Sequence, residues 1–444
     1  MIKFELPKDV QFILNRLHDA GEEAYVVGGC VRDMLLECEP YDWDITTSAT
    51  PEYVKSLFNK TIDTGISHGT VTVLVNNEGY EVTTYRVDGI YEDYRRPKEV
   101  MFTRSLSEDL LRRDFTINAM AYNENEGIID LYEGVNDLEH KIIRCVGEAS
   151  ERFNEDALRM LRAVRFSAKL GFKIEEKTYT AIKTYAHLIQ HVSAERIQVE
   201  MTKILISDYP EKIKELSICG LIDFIIPDFK AVIGLVQNNP YHKFTVDDHI
   251  YNSLRFVPNL VHLRWTMYLH DTGKGFTRTT DENGIHHFYG HQKVSEEIAK
   301  KALKSLKFDN KTYNQVTKLI RFHDDRFNTT KKAVRKAVSR IGIDYFDDLL
   351  LIKEADIKSQ HHSFEVGNLA KLKEIRLLYE EILEDDECLS VKDLSINGND
   401  LLELGVLEGK DIGRTLKMLL ERVLEQPELN NRETLLKIVK ETRL

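Results

Sequence analysis

The chain reads as an α+β protein in which a small mixed sheet at the N-terminal end is followed by an all-helical remainder. Three observations predict this. Strand-like alternation over Thr70 to Val75 and Tyr80 to Arg86, with the apolar start Tyr25-Val26-Val27, is confined to residues 1 to about 145. Beyond that point apolar residues recur at helical spacing, and no repeated βαβ wind is present, so a dinucleotide fold is not expected. At 444 residues the chain is also too long for one core and divides into roughly two to four domains.

Taken in order, a first helix runs from about Pro7 to Ala20 and stops at Gly21. The strand from Tyr25 then meets Gly28-Gly29, a helix-sized interval carrying Arg32-Asp33, and Asp42-Trp43-Asp44. Two carboxylates one residue apart on a strand share a face, because side chains alternate with a period of two, and Trp43 then points to the core. That pairing suits two oxygen ligands converging on Mg²⁺, while the glycines let backbone N–H groups approach a phosphate. The plainer alternative is an exposed Asp-x-Asp turn. His68, in Ser67-His68-Gly69-Thr70, is read as a turn residue, and Glu81 as either a third carboxylate beside the pair or a surface strand residue. Arg86 to Asp109 carries mixed charge and little periodicity, the pattern of a long functional or disordered loop. Asp130 and Gly134 mark a closing turn.

From Glu155 to Ala168, an angle of 100° per residue gathers Ala157, Leu161, Val164 and Ala168 on one side of a helix. Asp156 and then Arg159, Arg162 and Arg165 fall on the other. A carboxylate beside a guanidinium matches cytosine and adenine, which both offer an exocyclic amine next to a ring-nitrogen acceptor. Uracil and guanine place a carbonyl where the amine should be and leave groups unpaired, at about 1–3 kcal/mol each. An amphipathic helix with i,i+3 ion pairs is the alternative.

The composition fits a globular chain with 42% hydrophobic and 30% charged residues, no membrane-length apolar run and no signal-peptide core, so a cytoplasmic location is expected. Five widely spaced cysteines suit reduced thiols. A net charge of -12 argues against indiscriminate nucleic-acid binding. Two segments depart from it: Lys300 to Arg340 has thirteen Lys/Arg against three Asp, and Arg159 to Lys203 nine against four Glu. Either is a phosphate-binding surface or a solvated helix face.

The motif G-G-x-V-R-D with D-x-D ten residues after Arg32, the string R-R-D-F-T-I-N-A from Arg112 and the E-D-x-x-R element from Glu155 together resemble class II tRNA nucleotidyltransferases and bacterial poly(A) polymerases. The resemblance implies a polymerase-β-like head and addition of CCA to tRNA from CTP and ATP, with release of pyrophosphate. It places Asp42 and Asp44 on Mg²⁺, Gly29, Arg32 and Arg113 on the triphosphate, Asp114 on the ribose, and Asp156 and Arg159 on the base. Arg162 and Arg165 match nucleotide-contacting positions. Ser193 to Ile197 resembles a scaffolding element of the neck, and the 86–109 segment resembles the flexible loop used to switch from C to A. The order His249, His270-Asp271, His291, His323, Asp356 resembles the HD phosphohydrolases, which implies a second site for a divalent transition metal.

The expected domains are a head over 1–145, a neck over 146–205, an HD-containing body over 206–375 and a tRNA-binding tail over 376–444, punctuated by Gly405, Gly409 and Gly413. The alternatives are a poly(A) polymerase, an enzyme adding only A or only CC, and, in other classes, an HD phosphohydrolase whose N-terminal half merely binds nucleotide and an RNA-binding scaffold without turnover.

Overall fold

Short apolar runs broken by glycine and asparagine fold residues 24–130 into one mixed sheet. Its strands are β1 (Ala24–Val27), β2 (Asp44–Thr47), β3 (Thr61–Gly65), β4 (Thr70–Val75), β5 (Glu78–Thr84), β6 (Met120–Asn123) and β7 (Gly127–Asp130). The structure is a computed structural model describing residues 3–89, 91–92, 96–97, 100–238, 244–360, 362–385, 387–406 and 409–442. The strand order is β7-β6-β1-β2-β5-β4-β3, and every neighbouring pair is antiparallel except β2 and β5. That parallel pair sets Asp44 opposite Glu81. The β4–β5 hairpin turns on Asn76 and Asn77, both at positive φ, which asparagine tolerates and a two-residue hairpin turn requires.

β1 is buried along its whole length because both sheet faces are covered. Tyr25 and Val27 pack with Tyr85, Leu110 and Ala121. The Lys8–Asp19 helix buries Val10, Ile13, Leu14 and Leu17, the one-sided spacing of an amphipathic helix. Each such side chain contributes roughly 1.5–3 kcal/mol, more than any exposed ion pair supplies.

The chain forms two compact units, Met1–Lys230 and Ala231–Leu444. In the first, the helices Ala149–Glu155, Leu158–Leu170 and Ala194–Leu205 follow the sheet. The 86–109 segment is more regular than expected. Arg86–Asp88 pairs with Val100–Phe102, Tyr91–Glu92 with Arg96–Pro97, and a helix spans Leu106–Leu111. These ladders have no alternating apolar face, so hydropathy could not reveal them. Residues 90, 93–95 and 98–99 of that expected loop lie outside the described residues.

Among the described residues of the second unit the named elements are helices and one two-residue strand pair at Thr279–Thr280 and His286–His287, with an isolated bridge between Val236 and Thr245. Trp265 is fully buried and meets Phe308 edge-on. Leu401, Leu419, Val423 and Leu435 anchor a separate cluster among the last helices. Gly413 lies inside the Lys410–Glu425 helix and not between helices as expected. The basic run also reads differently in the Lys331–Ile341 helix. Lys331 pairs with Glu381 and Asp385, Lys332 and Lys336 with Glu425, Arg335 with Glu387 and Arg340 with Asp325. Those cations have acidic partners within the chain, at the surface in every case but the buried Arg335–Glu387 pair. None of the five cysteines is in a disulfide, and only Cys38 is exposed. Among the described residues no helix is long and apolar enough to cross a membrane.

Candidate active site

Gly28 starts the Gly29–Leu35 helix at φ 81, and a Cβ there would sit 3.0 Å from Arg113 Nη1. Only glycine lets the Arg113 guanidinium lie this close to the turn. Arg32, on that helix, is buried between Asp33 Oδ1 and Asn118 Oδ1, at 2.8 and 2.7 Å from its Nε and Nη1.

The expected strand geometry of the aspartate pair holds only in part. β2 begins at Asp44, so Asp42 and Trp43 lie in the irregular segment before it, and Trp43 is half-buried at the edge of the core. The two carboxylates nevertheless line one cavity of about 780 Å³, which is also lined by Gly29, Arg32, Arg113, Asp114, Asp156, Arg159, Arg162 and Arg165. The ten head and neck residues that the resemblance placed on metal or nucleotide therefore converge. Asp44 and Glu81 share a smaller adjoining cavity of about 190 Å³ with Arg86, Arg112 and Arg113.

The cavity's carboxylates divide into two kinds. Asp33 pairs with Arg32 at 2.7 Å, Asp114 with Arg162 at 2.5 Å and Asp156 with Arg196 at 2.7 Å. Asp42 and Asp44 make no side-chain ion pair or hydrogen bond among the described residues. Crowding by protein raises Asp44 above the usual carboxylate range, against the pull of Arg113 and with the help of Asp42. Burial likewise raises Glu81, and the charges of Asp44 and Asp42 add to the rise. Hard oxygen donors that disfavour one another's charge fit a divalent cation such as Mg²⁺.

Asp114 is fully enclosed. Burial alone would raise it, but Arg162 outweighs that and holds the carboxyl below its usual range. Its Oδ1 accepts from the Phe115 N–H at 2.8 Å and Asn118 Nδ2 at 3.3 Å, and its Oδ2 from Arg162 Nε at 2.7 Å. The acid is thus engaged on both oxygens, and Arg162 is the charge it positions. Arg165 pairs with Glu200 at 2.6 Å.

Asp156 is not part of a continuous helix, contrary to the angular placement expected. One helix ends at Glu155, Asp156 is extended at φ -138, and the next helix starts at Leu158. Its short side chain competes for main-chain donors, and Oδ1 accepts from the Leu158 N–H at 3.0 Å. Arg159 Nη1 lies 2.5 Å from Glu155 Oε2, and its Nη2 donates to the Arg112 carbonyl at 2.9 Å.

Four contributors were not recognisable from sequence in these roles. Asp109, wholly buried, receives both Arg112 and Arg113, at 2.7 and 3.3 Å. Asn118 ties Arg32 to Asp114. Phe166 carries the Arg32, Arg162 and Arg165 guanidiniums 5.3, 5.5 and 4.1 Å from its ring centre. Arg196, expected as scaffold, reaches Asp156. The R-R-D-F string contained a hint of Asp109, since an acid three and four residues before two arginines pairs with both on a helical turn. Nothing in the sequence marks Phe166.

Comparison with known proteins gives this geometry a family. The segment 24–144 matches the "Poly A polymerase head domain", 171–233 the "Probable RNA and SrmB- binding site of polymerase A", and 276–439 a tRNA nucleotidyltransferase domain 2. A CCA-adding enzyme of Lactobacillus helveticus (strain DPC 4571) is 36% identical over 431 residues, 96% of this chain and 95% of the relative. The chain belongs to the CCA-adding enzyme family. A second member, from Streptococcus thermophilus (strain CNRZ 1066), is 36% identical over 436 residues, 96% of this chain and 95% of its own. The crystal structure of the Bacillus stearothermophilus CCA-adding enzyme in complex with CTP superposes with a TM-score of 0.74 at 29% identity, covering 99% of both chains. Nucleotidyltransferases of this family use a divalent metal such as Mg²⁺.

The second unit holds a cluster of its own. His249, His270 and Asp271 form one group and Asp271, His291 and His323 another, each with ligand atoms within 4.8 Å of one another. Gly273 allows this approach, because a Cβ there would meet the His291 carbonyl at 2.2 Å. His270, His291 and His323 each turn Nδ1 to a carbonyl three residues earlier, at 2.8, 2.9 and 2.7 Å. A carbonyl only accepts, so Nδ1 carries a proton in each, and whenever the ring is neutral its Nε2 presents a lone pair inward. Ser359 Oγ donates to the Asp356 carbonyl and therefore accepts from His249 Nδ1 at 3.2 Å. Inside, His291 and His323 set Nε2 against Nε2 at 3.1 Å, His249 Nε2 meets Asp356 Oδ1 at 2.9 Å, and His270 Nε2 faces Asp271 Oδ2 at 3.3 Å and Asp356 Oδ1 at 3.7 Å. Lone pairs facing lone pairs and carboxylates call for positive charge between them. The donor set fits divalent transition metal.

Proposed function

We propose that the chain adds CCA to the 3′ end of tRNA without a nucleic-acid template, using CTP and ATP and releasing pyrophosphate. The observation that carries this is the single cavity in which the unpartnered Asp42 and Asp44 lie with the base-reading pair Asp156 and Arg159 and an excess of guanidinium groups. Asp42 and Asp44 would hold Mg²⁺, which when bound supplies charge neutralisation at the triphosphate and acidifies the attacking 3′ hydroxyl. Arg32 and Arg113 bind triphosphate oxygens from positions set by Asp33, Asn118 and Asp109. Arg162 and Arg165, held by Asp114 and Glu200 beside Phe166, present charge to the nucleotide. Asp156 accepts from the exocyclic amine of cytosine or adenine, and Arg159 donates to the neighbouring ring nitrogen. No side chain forms a bond to substrate, so the rate comes from positioning and charge.

The test is incubation of the full chain with tRNA lacking its CCA end and labelled CTP or ATP. Incorporation of CTP and then ATP supports the proposal, and Asp44→Ala should lower incorporation at least about a thousandfold, as expected when the group organising transition-state charge is lost. A protein that incorporates ATP alone would instead be a poly(A) polymerase or A-adding enzyme.

The inward Nε2 atoms of the second unit favour an additional reading, a metal-dependent phosphohydrolase site at His249, His270, Asp271, His291, His323 and Asp356. The four-part division into head, neck, body and tRNA-binding tail, and a cytoplasmic place of action, belong to the same proposal.

A further inference from the structure

We infer that Arg196 is the positioning residue that makes Asp156 selective for cytosine and adenine. This rests on the base-reading role proposed above for Asp156. Arg196 lies in the Ala194–Leu205 helix, forty positions along the chain from Asp156, and lines the same cavity. Its Nη2 donates to Asp156 Oδ2 at 2.7 Å and its Nη1 to Oδ1 at 3.3 Å, a two-pronged contact that locks the plane of the carboxylate. Oδ1 is also taken by the Leu158 N–H at 3.0 Å.

Each carboxylate oxygen has two lone pairs, so Oδ1 is saturated by these donors and Oδ2 keeps one acceptor position. That leftover position is what an exocyclic amine needs and what a carbonyl oxygen cannot use. Because Asp156 stands in an extended break between two helices, its side chain is not held by a helical groove. Without Arg196 only the Leu158 N–H restrains it, and the carboxylate turns about that bond. A carboxylate free to turn can move away from a uracil or guanine carbonyl and admit bridging water, so the penalty on the wrong base falls. The correct base simultaneously loses a fixed acceptor. Arg159 needs no such help, since Glu155 and two main-chain carbonyls, those of Arg152 and Arg112, grip it.

The experiment measures kcat/KM for CTP, ATP, UTP and GTP on tRNA lacking its CCA end, in the full-length wild type, Arg196→Ala, Arg196→Lys, Asp156→Ala and the double variant. The inference expects the CTP-over-UTP ratio to fall at least tenfold in Arg196→Ala, with a higher KM for CTP. Arg196→Lys, which keeps the charge and loses the fork, should fall between. In the Asp156→Ala background Arg196→Ala should move the ratio less than twofold. Uniform loss with all four nucleotides and an unchanged ratio would mean that Arg196 only supports the fold, and the inference is wrong. If Asp156→Ala itself leaves the ratio unchanged, the base-reading role of Asp156 is what fails. A collapse in Asp156→Ala but not in Arg196→Ala overturns the Arg196 inference alone.

Discussion

At the scale of single residues, the site depends on groups that position other groups. Gly28 shows this most directly, because its φ of 81 strains any other residue and a Cβ there would press on Arg113 Nη1 at 3.0 Å. Gly28→Ala should cost about 1–3 kcal/mol of stability for a backbone region suited to glycine, and should raise KM for CTP by displacing Arg113. Gly29→Ala, whose Cβ would find Arg32 Nη2 at an ordinary 3.6 Å, should do less on both counts. Thermal unfolding beside nucleotide kinetics for the two variants checks the order. The residue types at these positions are readable from the chain because glycine pairs and arginine-aspartate pairs are locally unusual. Their partners are not, since Arg196 and Asp156 meet only when two helices pack.

At the scale of elements, the turn from Leu106 to Arg113 is built around one acid. Asp109 has no solvent exposure and accepts from Arg112, Arg113 and Thr46. Burial would raise it, yet Arg113 and Arg112 prevail and hold it below the usual carboxylate range. A folded-state value lowered in this way contributes stability that is fully present above the unfolded value and disappears as pH falls through the folded one. Asp109→Asn should therefore unfold at lower urea than wild type by about 3 kcal/mol, the scale for breaking a buried pair. The gap should stay level above the ordinary carboxylate range and narrow as pH falls through that range towards the lowered folded value, where the wild-type acid also loses its charge; urea midpoints from neutral pH into the acid range test it. The same scale explains two departures from expectation. Asp156 breaks the helix because its carboxylate caps the Leu158 N–H, and the Lys331–Ile341 cations meet acids from distant sequence positions such as Glu381 and Glu425.

At the scale of the whole molecule, two units with their own cores carry two chemically distinct clusters, hard carboxylates among guanidiniums in one and imidazoles around Asp271 in the other. They should be separable. Asp44→Ala should abolish CTP incorporation and spare hydrolysis of a generic phosphodiester such as bis(p-nitrophenyl) phosphate measured with Mn²⁺ or Ni²⁺. His270→Ala should do the reverse, and loss of both activities in either variant would contradict the separation. The sequence by itself determined the α+β class, the position of β4 and the first helix, because local periodicity encodes them, and ten of the residues that line the larger cavity, because their motifs resemble those of a known family. Only the tertiary structure decided that Asp42 precedes the strand, that Glu81 stands opposite Asp44, and that Asp109, Phe166 and Arg196 belong to the site. The placements of Glu81, Phe166 and Arg196 are meetings between segments far apart in the chain, settled when the elements pack, and no local pattern records them, whereas the Asp109 pairs are local and only their burial needed the fold.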